Sequence, residues 1–274
     1  RRETECPQPV GDEVLLRVEA CGVCHSDIHL ADGYFDLGDS KRLDLTQGRK
    51  LPFTLGHEIS GVVEACGSDV DQIRVGDRRV VYPWVGCRQC RACSNGDEHL
   101  CGRPQALGVT RPGGFADYVI VPHSRYLFDI GDISVARAGT YACSGLTAFS
   151  ALNKVADQLD ESSHLLVVGL GGVGLAALNL APSITQTNLI GADVDDQRLQ
   201  LASSYGAIPI NPKDSESVKA VKRLTEGGVK VAIDFVGSES SSAFALSSLA
   251  SGGTLVVVGL FGGALKVSLP LLPL

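Results

Sequence analysis

Apolar and polar positions follow two different rhythms along the 274-residue chain. Between Glu13 and Tyr126 the apolar residues fall in short runs, at 14–18, 61–65 and 79–82, cut apart by Gly, Pro and Asp clusters. Such runs predict a mostly β region. From about Ser162, strand-like runs alternate with helical stretches: 164–168 then 173–180, 188–192 then 196–205, 208–210 then 215–225, 229–236 then 241–249, and finally 254–258. That alternation predicts an α/β architecture with a parallel, doubly wound sheet of five strands. A helix over 144–155 is predicted to join the two regions, which sets domains at 1–143 and 144–274. Pro182 should end the helix opened near Val173 early, because a proline inside a helix removes a backbone donor and crowds the preceding turn.

Composition narrows the partners. Apolar residues make up 44% of the chain, enough for a real core, and the net charge of −7 offers no basic stripe for nucleic acid or an anionic membrane. The longest apolar runs, 164–170 and 255–260, are strand-length and fall short of the roughly 20 residues of a membrane span. No charged-then-apolar leader opens the sequence, and nine cysteines in that setting point to metal binding or catalysis in the reducing cytoplasm rather than to a disulfide framework. A start at Arg1 in a chain without Met, and an end in Leu269-Pro-Leu-Leu-Pro-Leu274, predict a stretch cut from a longer product. The expected partner is a small molecule.

Three constellations carry candidate chemistry. Cys87-x2-Cys90-x2-Cys93-x7-Cys101 gathers four thiols in a polar loop; four thiolates close a tetrahedral shell around zinc and leave no position for substrate, so this is read as a structural site. Gly22-Val-Cys24-His25-Ser26-Asp27-Ile-His29 and Gly56-His57-Glu58 supply a thiolate, imidazoles and carboxylates, and Cys143 adds a distant thiolate. A Cys2His set leaves one zinc position open, as catalysis requires. Taken alone Cys21, three positions before Cys24, competes with it as a ligand, and Cys6 and Cys66 are read as packing residues. Finally, Gly169-Leu-Gly171-Gly172-Val173-Gly174 follows a strand and opens a helix, the context in which such a turn cradles a dinucleotide pyrophosphate. Asp193, at the end of the next strand, can accept from ribose hydroxyls and repels a 2′-phosphate, so NAD is favoured over NADP; Arg198 is the nearest cation.

Gly-Val-Cys-His-Ser-Asp, Gly-His-Glu, the four-cysteine lobe and Thr140-Tyr-Ala-Cys143-Ser-Gly-Leu-Thr147 occur in the order seen in zinc-containing medium-chain alcohol dehydrogenases, and the chain resembles that family over nearly its whole length. The resemblance implies a GroES-like catalytic domain followed by a Rossmann domain. It implies a catalytic zinc on Cys24, His57 and Cys143, with Glu58 a close neighbour or transient ligand and Asp27 orienting His57. It favours Cys24 over Cys21, because the family's ligand follows Gly-Val and precedes Ser-Asp. Ser26 and His29 resemble a proton relay, His25 a cation near the coenzyme pyrophosphate, Thr147 and Val173 contacts to the nicotinamide, and Trp84 a wall of the substrate pocket.

The activity implied is hydride transfer between an alcohol and NAD, giving an aldehyde or ketone, with two zinc ions per chain. The full-length family member would be a homodimer or homotetramer. Its sheet has six parallel strands, so the last strand is expected to lie beyond this stretch. Two other readings stay open at this point: a zinc-stabilised dinucleotide-binding protein without catalysis, and a zinc polyol or formaldehyde dehydrogenase. Residues 35–50 are read as a loop bearing on specificity.

Overall fold

The computed structural model describes residues 3–47, 50–260 and 262–267, so the terminal segment 269–274 and part of the 35–50 loop lie outside the described residues. The described chain divides into two compact units. One takes the residues up to Tyr34 together with Asp44–Cys143, and the other takes Phe35–Leu43 together with the residues from Ser144 onward.

The first unit is built on an antiparallel sheet. In chain order it carries β1 (Val14–Gly22), α1 (His25–Asp32), β4 (Glu58–Cys66), β5 (Arg78–Val81), α2 (Arg91–Ser94), β6 (Tyr118–Val121), β7 (Leu127–Asp129) and α3 (Val135–Thr140), while the short ladder of β2 (Tyr34–Asp36) with β3 (Arg42–Asp44), between α1 and β4 in sequence, falls mostly in the Phe35–Leu43 piece of the other unit. The main sheet runs β6-β1-β4-β5-β7, and its inner face buries Val14, Leu16, Ile59, Val63, Val81, Val119, Val121 and Leu127. The 35–50 segment is therefore not a plain loop: the β2–β3 ladder occupies it, closed by a turn in which Leu37 N donates to Lys41 O and Lys41 N donates to Gly38 O, each at 2.9 Å.

Register decides what this sheet can do. Gly22 pairs with Glu58, so the chain leaves β1 and enters β4 at the same end of the sheet. α3 lies over that end. Ser60 Oγ donates to Val135 O at 2.6 Å, and Gly139 packs so closely on the Glu58 carbonyl that a Cβ there would overlap it. The segments carrying Cys24, His57 and Cys143, far apart in sequence, are thereby delivered to one place.

The second unit holds α4 (Leu146–Asn153), β8 (His164–Val168), α5 (Gly172–Ile184), β9 (Asn188–Ala192), α6 (Asp196–Ser204), β10 (Ile208–Ile210), α7 (Ser217–Leu224), β11 (Val229–Asp234), α8 (Glu239–Ser247) and β12 (Leu249–Val257). Its five strands run parallel in the order β10-β9-β8-β11-β12. Leu165, Leu166, Val167 and Val168 of β8 are all buried, as a central strand covered by helices on both faces demands. Ala177, Leu178 and Ala181 of α5 pack on it.

Two local expectations are corrected. α5 does not stop before Pro182 but runs to Ile184. The ring stands on the exposed face in the last turn, where only one backbone bond is forfeited, and Thr185 N still closes the helix on Ala181 O at 2.9 Å. The linking helix does not begin as a regular α-helix at 144: a π-helical turn, Tyr141–Gly145, precedes α4 and carries Cys143. No helix of the described residues is long and apolar enough to cross a membrane.

Leu178 is fully buried at the contact of α5 with the sheet. Leu178→Ala is expected to destabilise the second unit by about 2–5 kcal/mol, seen as a lower urea midpoint by circular dichroism, with metal content unchanged.

Candidate functional site

Cys24 Sγ, Cys143 Sγ and a His57 ring nitrogen lie within 4.8 Å of one another, and the two sulfurs are 3.9 Å apart. Asp27 organises the group. Its buried carboxylate accepts from Cys24 N at 3.0 Å and from Gly56 N at 3.2 Å, and it faces His57 Nδ1 at 3.1 Å. A carboxylate accepts only, so Nδ1 carries a proton and Nε2 is the nitrogen left to bind a metal. Nε2 is buried and has no hydrogen-bond partner among the described residues. An imidazole nitrogen turned toward two thiols is a donor set that fits zinc, and three protein donors leave the fourth position to a non-protein ligand.

Electrostatics sharpen the same picture. A hydrogen bond from Cys143 draws the Cys24 thiol down to about 4 against the cost of burial, with help from His57 and Ser26. That shared bond, together with burial, holds Cys143 well above the usual thiol range. Burial opposes charge on His57, but the Asp27 carboxylate on Nδ1 and the Cys24 sulfur beside the ring outweigh it and raise the imidazole to about 9, so a metal ion at Nε2 takes the place of a proton.

The neighbouring residues fall into place unequally. Glu58 is buried beside the cluster, where its carboxylate fills the space a Cβ on Gly22 would need, but it is outside the group of mutually close ligand atoms. Ser26 adds backbone and hydroxyl hydrogen bonds to Cys24. The His29 ring packs edge-on against exposed His25, their centroids 4.8 Å apart; burial, then the charge on His25, keeps His29 below its ordinary value. The Trp84 ring lies 5.6 Å from that of His57. Cys21 stands apart: its sulfur packs against Gly56 and Gly114, and burial followed by the Asp27 charge pushes it up to about 12. Cys66 packs against the core as expected, whereas Cys6 is exposed, because the extended Cys6-Pro7-Gln8-Pro9 segment precedes the first strand.

The four-cysteine lobe is a second closed cluster. All four sulfurs lie within 4.8 Å of one another, with Cys90 3.5 Å from Cys93 and 3.8 Å from Cys101. Backbone N–H groups point at the sulfurs, Cys87 N and Arg103 N each donating to Cys101 Sγ at 3.3 Å. Those of Gln89 and then Cys90 lower the Cys87 thiol to about 6. Four sulfurs so arranged complete a tetrahedral shell by themselves.

In the second unit the glycine turn has the close contacts its residues allow. Gly169 is left-handed, at φ +85°, and a Cβ there would strike Val236; a Cβ on Gly174 would overlap the Gly169 carbonyl. Gly171 caps α5, which opens with Gly172 and Val173, and α4, bearing Thr147, packs on it. Asp193, 6% exposed, ties the next strand to the turn: its carboxylate accepts from Leu170 N at 2.7 Å and Asp195 N at 3.0 Å, with Arg198 Nη1 at 3.5 Å. Sequence reasoning missed the bond to Leu170, and it missed Ser60, Gly139 and Glu98. Leu170 is an unspecified position of the glycine turn, and Ser60, Gly139 and Glu98 are defining positions of no motif, so none of them left a local signal.

Asp27→Ala removes the acceptor that fixes His57. It is expected to weaken metal binding at the Cys24 cluster on the order of 10–100-fold, measured by zinc competition against a calibrated chelator.

Residues 11–132 match the alcohol dehydrogenase GroES-like domain, and residues 172–274 match the zinc-binding dehydrogenase family. The NAD-dependent alcohol dehydrogenase of Sulfurisphaera tokodaii is 40% identical over 271 residues, 98% of this chain and 77% of that protein. That of Saccharolobus solfataricus is 39% identical over 276 residues, 100% of this chain and 78% of that protein. Among solved structures, the alcohol dehydrogenase of Aeropyrum pernix superimposes with a TM-score of 0.87 at 31% identity, over 98% of this chain and 77% of that one. An antiparallel unit with two thiol clusters, a parallel unit with a glycine turn, and these likenesses agree: the chain belongs to the zinc-binding alcohol dehydrogenases of the medium-chain type.

Proposed function

We propose that the protein transfers hydride between a primary or secondary alcohol and NAD, yielding an aldehyde or ketone. The observation that carries this is the His57 nitrogen left bare beside two thiols, a donor set one ligand short of a full shell. Cys24, His57 and Cys143 hold the catalytic zinc, and Cys87, Cys90, Cys93 and Cys101 hold a second, structural zinc, two per chain. Zinc, when bound at the first site, supplies a Lewis acid that lowers the pKa of the alcohol hydroxyl. NAD, when bound, supplies the nicotinamide that accepts the hydride.

The chain's own residues do the rest. Asp27 holds the His57 ring in the tautomer that presents Nε2. Glu58, buried beside the cluster, serves as a transient ligand. The Ser26 hydroxyl takes the alcohol's proton toward His29, which stays neutral near pH 7 and can receive it. Trp84 walls the substrate space next to His57. The turn Gly169–Gly174 offers backbone N–H groups and the start of α5 to the pyrophosphate, for which His25 is a further candidate contact by family resemblance, and Thr147 and Val173 are candidates to meet the nicotinamide. Asp193 accepts from the adenosine ribose and disfavours a 2′-phosphate, with Arg198 beside it. The working enzyme is a homodimer or homotetramer, and its thiol clusters suit the reducing cytoplasm.

NAD reduction followed at its near-ultraviolet absorbance, across primary, secondary and cyclic alcohols, tests the reading. Cys24→Ala is expected to lower kcat/KM at least about a thousandfold; undiminished turnover would remove Cys24 from the site. Asp193→Gly leaves Arg198 without its carboxylate and is expected to move the NADP-to-NAD preference by more than about tenfold toward NADP. An unchanged ratio would show that Asp193 does not read the ribose.

A further inference from the structure

Glu98 is a buried carboxylate that the proposed chemistry does not use. It opens the 3-10 turn Glu98–Leu100, between the third and fourth cysteines of the lobe, and is only 7% exposed. It is not a metal ligand, since it stands outside the group formed by the four sulfurs. Its oxygens point the other way. Oε2 accepts from Tyr126 OH at 2.6 Å and from Gly86 N at 3.1 Å, while Oε1 meets Arg125 Nη2 at 3.1 Å.

Each of those partners belongs to the strand side of the lobe. Gly86 immediately precedes Cys87, and Tyr126 and Arg125 lead into β7. Tyr126 is itself buried, its carbonyl accepts from Tyr82 N at 2.8 Å just after β5, and the Arg125 guanidinium lies 5.7 Å over its ring. The fit around Gly86 is tight: a Cβ there would come within 2.7 Å of Cys93 Sγ and 3.1 Å of the Glu98 side chain. One carboxylate thus joins the chain entering the lobe, the turn before its last cysteine, and the sheet edge behind it. Burying a carboxylate costs several kcal/mol unless its oxygens are well bonded, and here they accept two uncharged donors and one guanidinium.

We propose that Glu98 is a positioning residue for the structural metal: by fixing Gly86 and the 98–100 turn to Tyr126 and Arg125, it holds Cys87 and Cys101 at ligand spacing and so slows loss of the ion. This rests on the four cysteines being a metal site. It acts through the backbone on either side of the cluster, as an outer carboxylate orients a ligand it does not replace.

The test is zinc release from the purified zinc-loaded protein to a chromophoric chelator. A Cys90→Ser variant identifies the equivalent that belongs to the lobe. Glu98→Ala is expected to speed loss of that equivalent on the order of 10–100-fold while the other keeps its rate. Glu98→Gln, which retains an acceptor for Gly86 N and Tyr126 OH, should restore most of the difference. Should the alanine variant not fold, Tyr126→Phe removes one donor and should accelerate the same equivalent alone. Unchanged release from the lobe overturns the proposal, and so does equal acceleration of both equivalents, which would mark a general loosening. If Cys90→Ser costs no zinc, the lobe is not a metal site and the underlying reading fails first.

Discussion

The Asp27 carboxylate is the contact on which the rest depends. Two backbone N–H groups, from the start of α1 and from the loop before β4, converge on it with the His57 imidazole. The loop before β4 is also tied to the 113–115 segment by three backbone bonds, so the geometry of Cys24 relative to His57 comes from the bonds to Asp27, from that tie and from the β1–β4 register beneath them. Removing a carboxylate from water is costly, and charge-assisted hydrogen bonds offset that cost only when nearly every lone pair is used. The site is thereby over-determined before any metal arrives.

The same device recurs at the other centres. Asp193 accepts from the glycine turn and holds the ends of β8 and β9 together. Glu98 accepts from Gly86 at the root of the four-cysteine lobe. Asp234, wholly buried at the end of β11, accepts from Val236 N, Gly237 N and the Ser241 and Ser242 hydroxyls, fixing the turn that packs on Gly169. In each case a carboxylate converts a loop, whose backbone donors would otherwise seek water, into a rigid extension of a strand. Functional chemistry sits on loops, and here the loops are held by buried acids.

How much of this was legible in the sequence followed from how local each cause is. The strands 164–168, 188–192 and 208–210 were read to the residue, because short apolar runs bounded by turn residues carry their own boundaries. β12 starts at Leu249 rather than 254, since Leu249 pairs with Val229 ahead of a register irregularity in a Gly- and Ser-rich stretch that carries no apolar pattern. The two thiol clusters, and the preference for Cys24 over Cys21, can be proposed from spacing and resemblance, whereas the packing of the Cys21 sulfur against Gly56 and Gly114 is recorded by no local pattern. Glu98 and the bond from Leu170 to Asp193 were invisible for the same reason: their partners are 28 and 23 positions away.

The central claim is that Cys24, Cys143 and the Nε2 atom of His57 form one metal site, with Nδ1 committed to Asp27. The most direct measurement is an anomalous difference map at the zinc edge from crystals of the zinc-loaded protein. The account predicts a peak at bonding distance from those three atoms, with Cys21 and His57 Nδ1 unbound. A loaded four-cysteine lobe with no peak at the Cys24 cluster, or a peak bonded through Cys21, would contradict it.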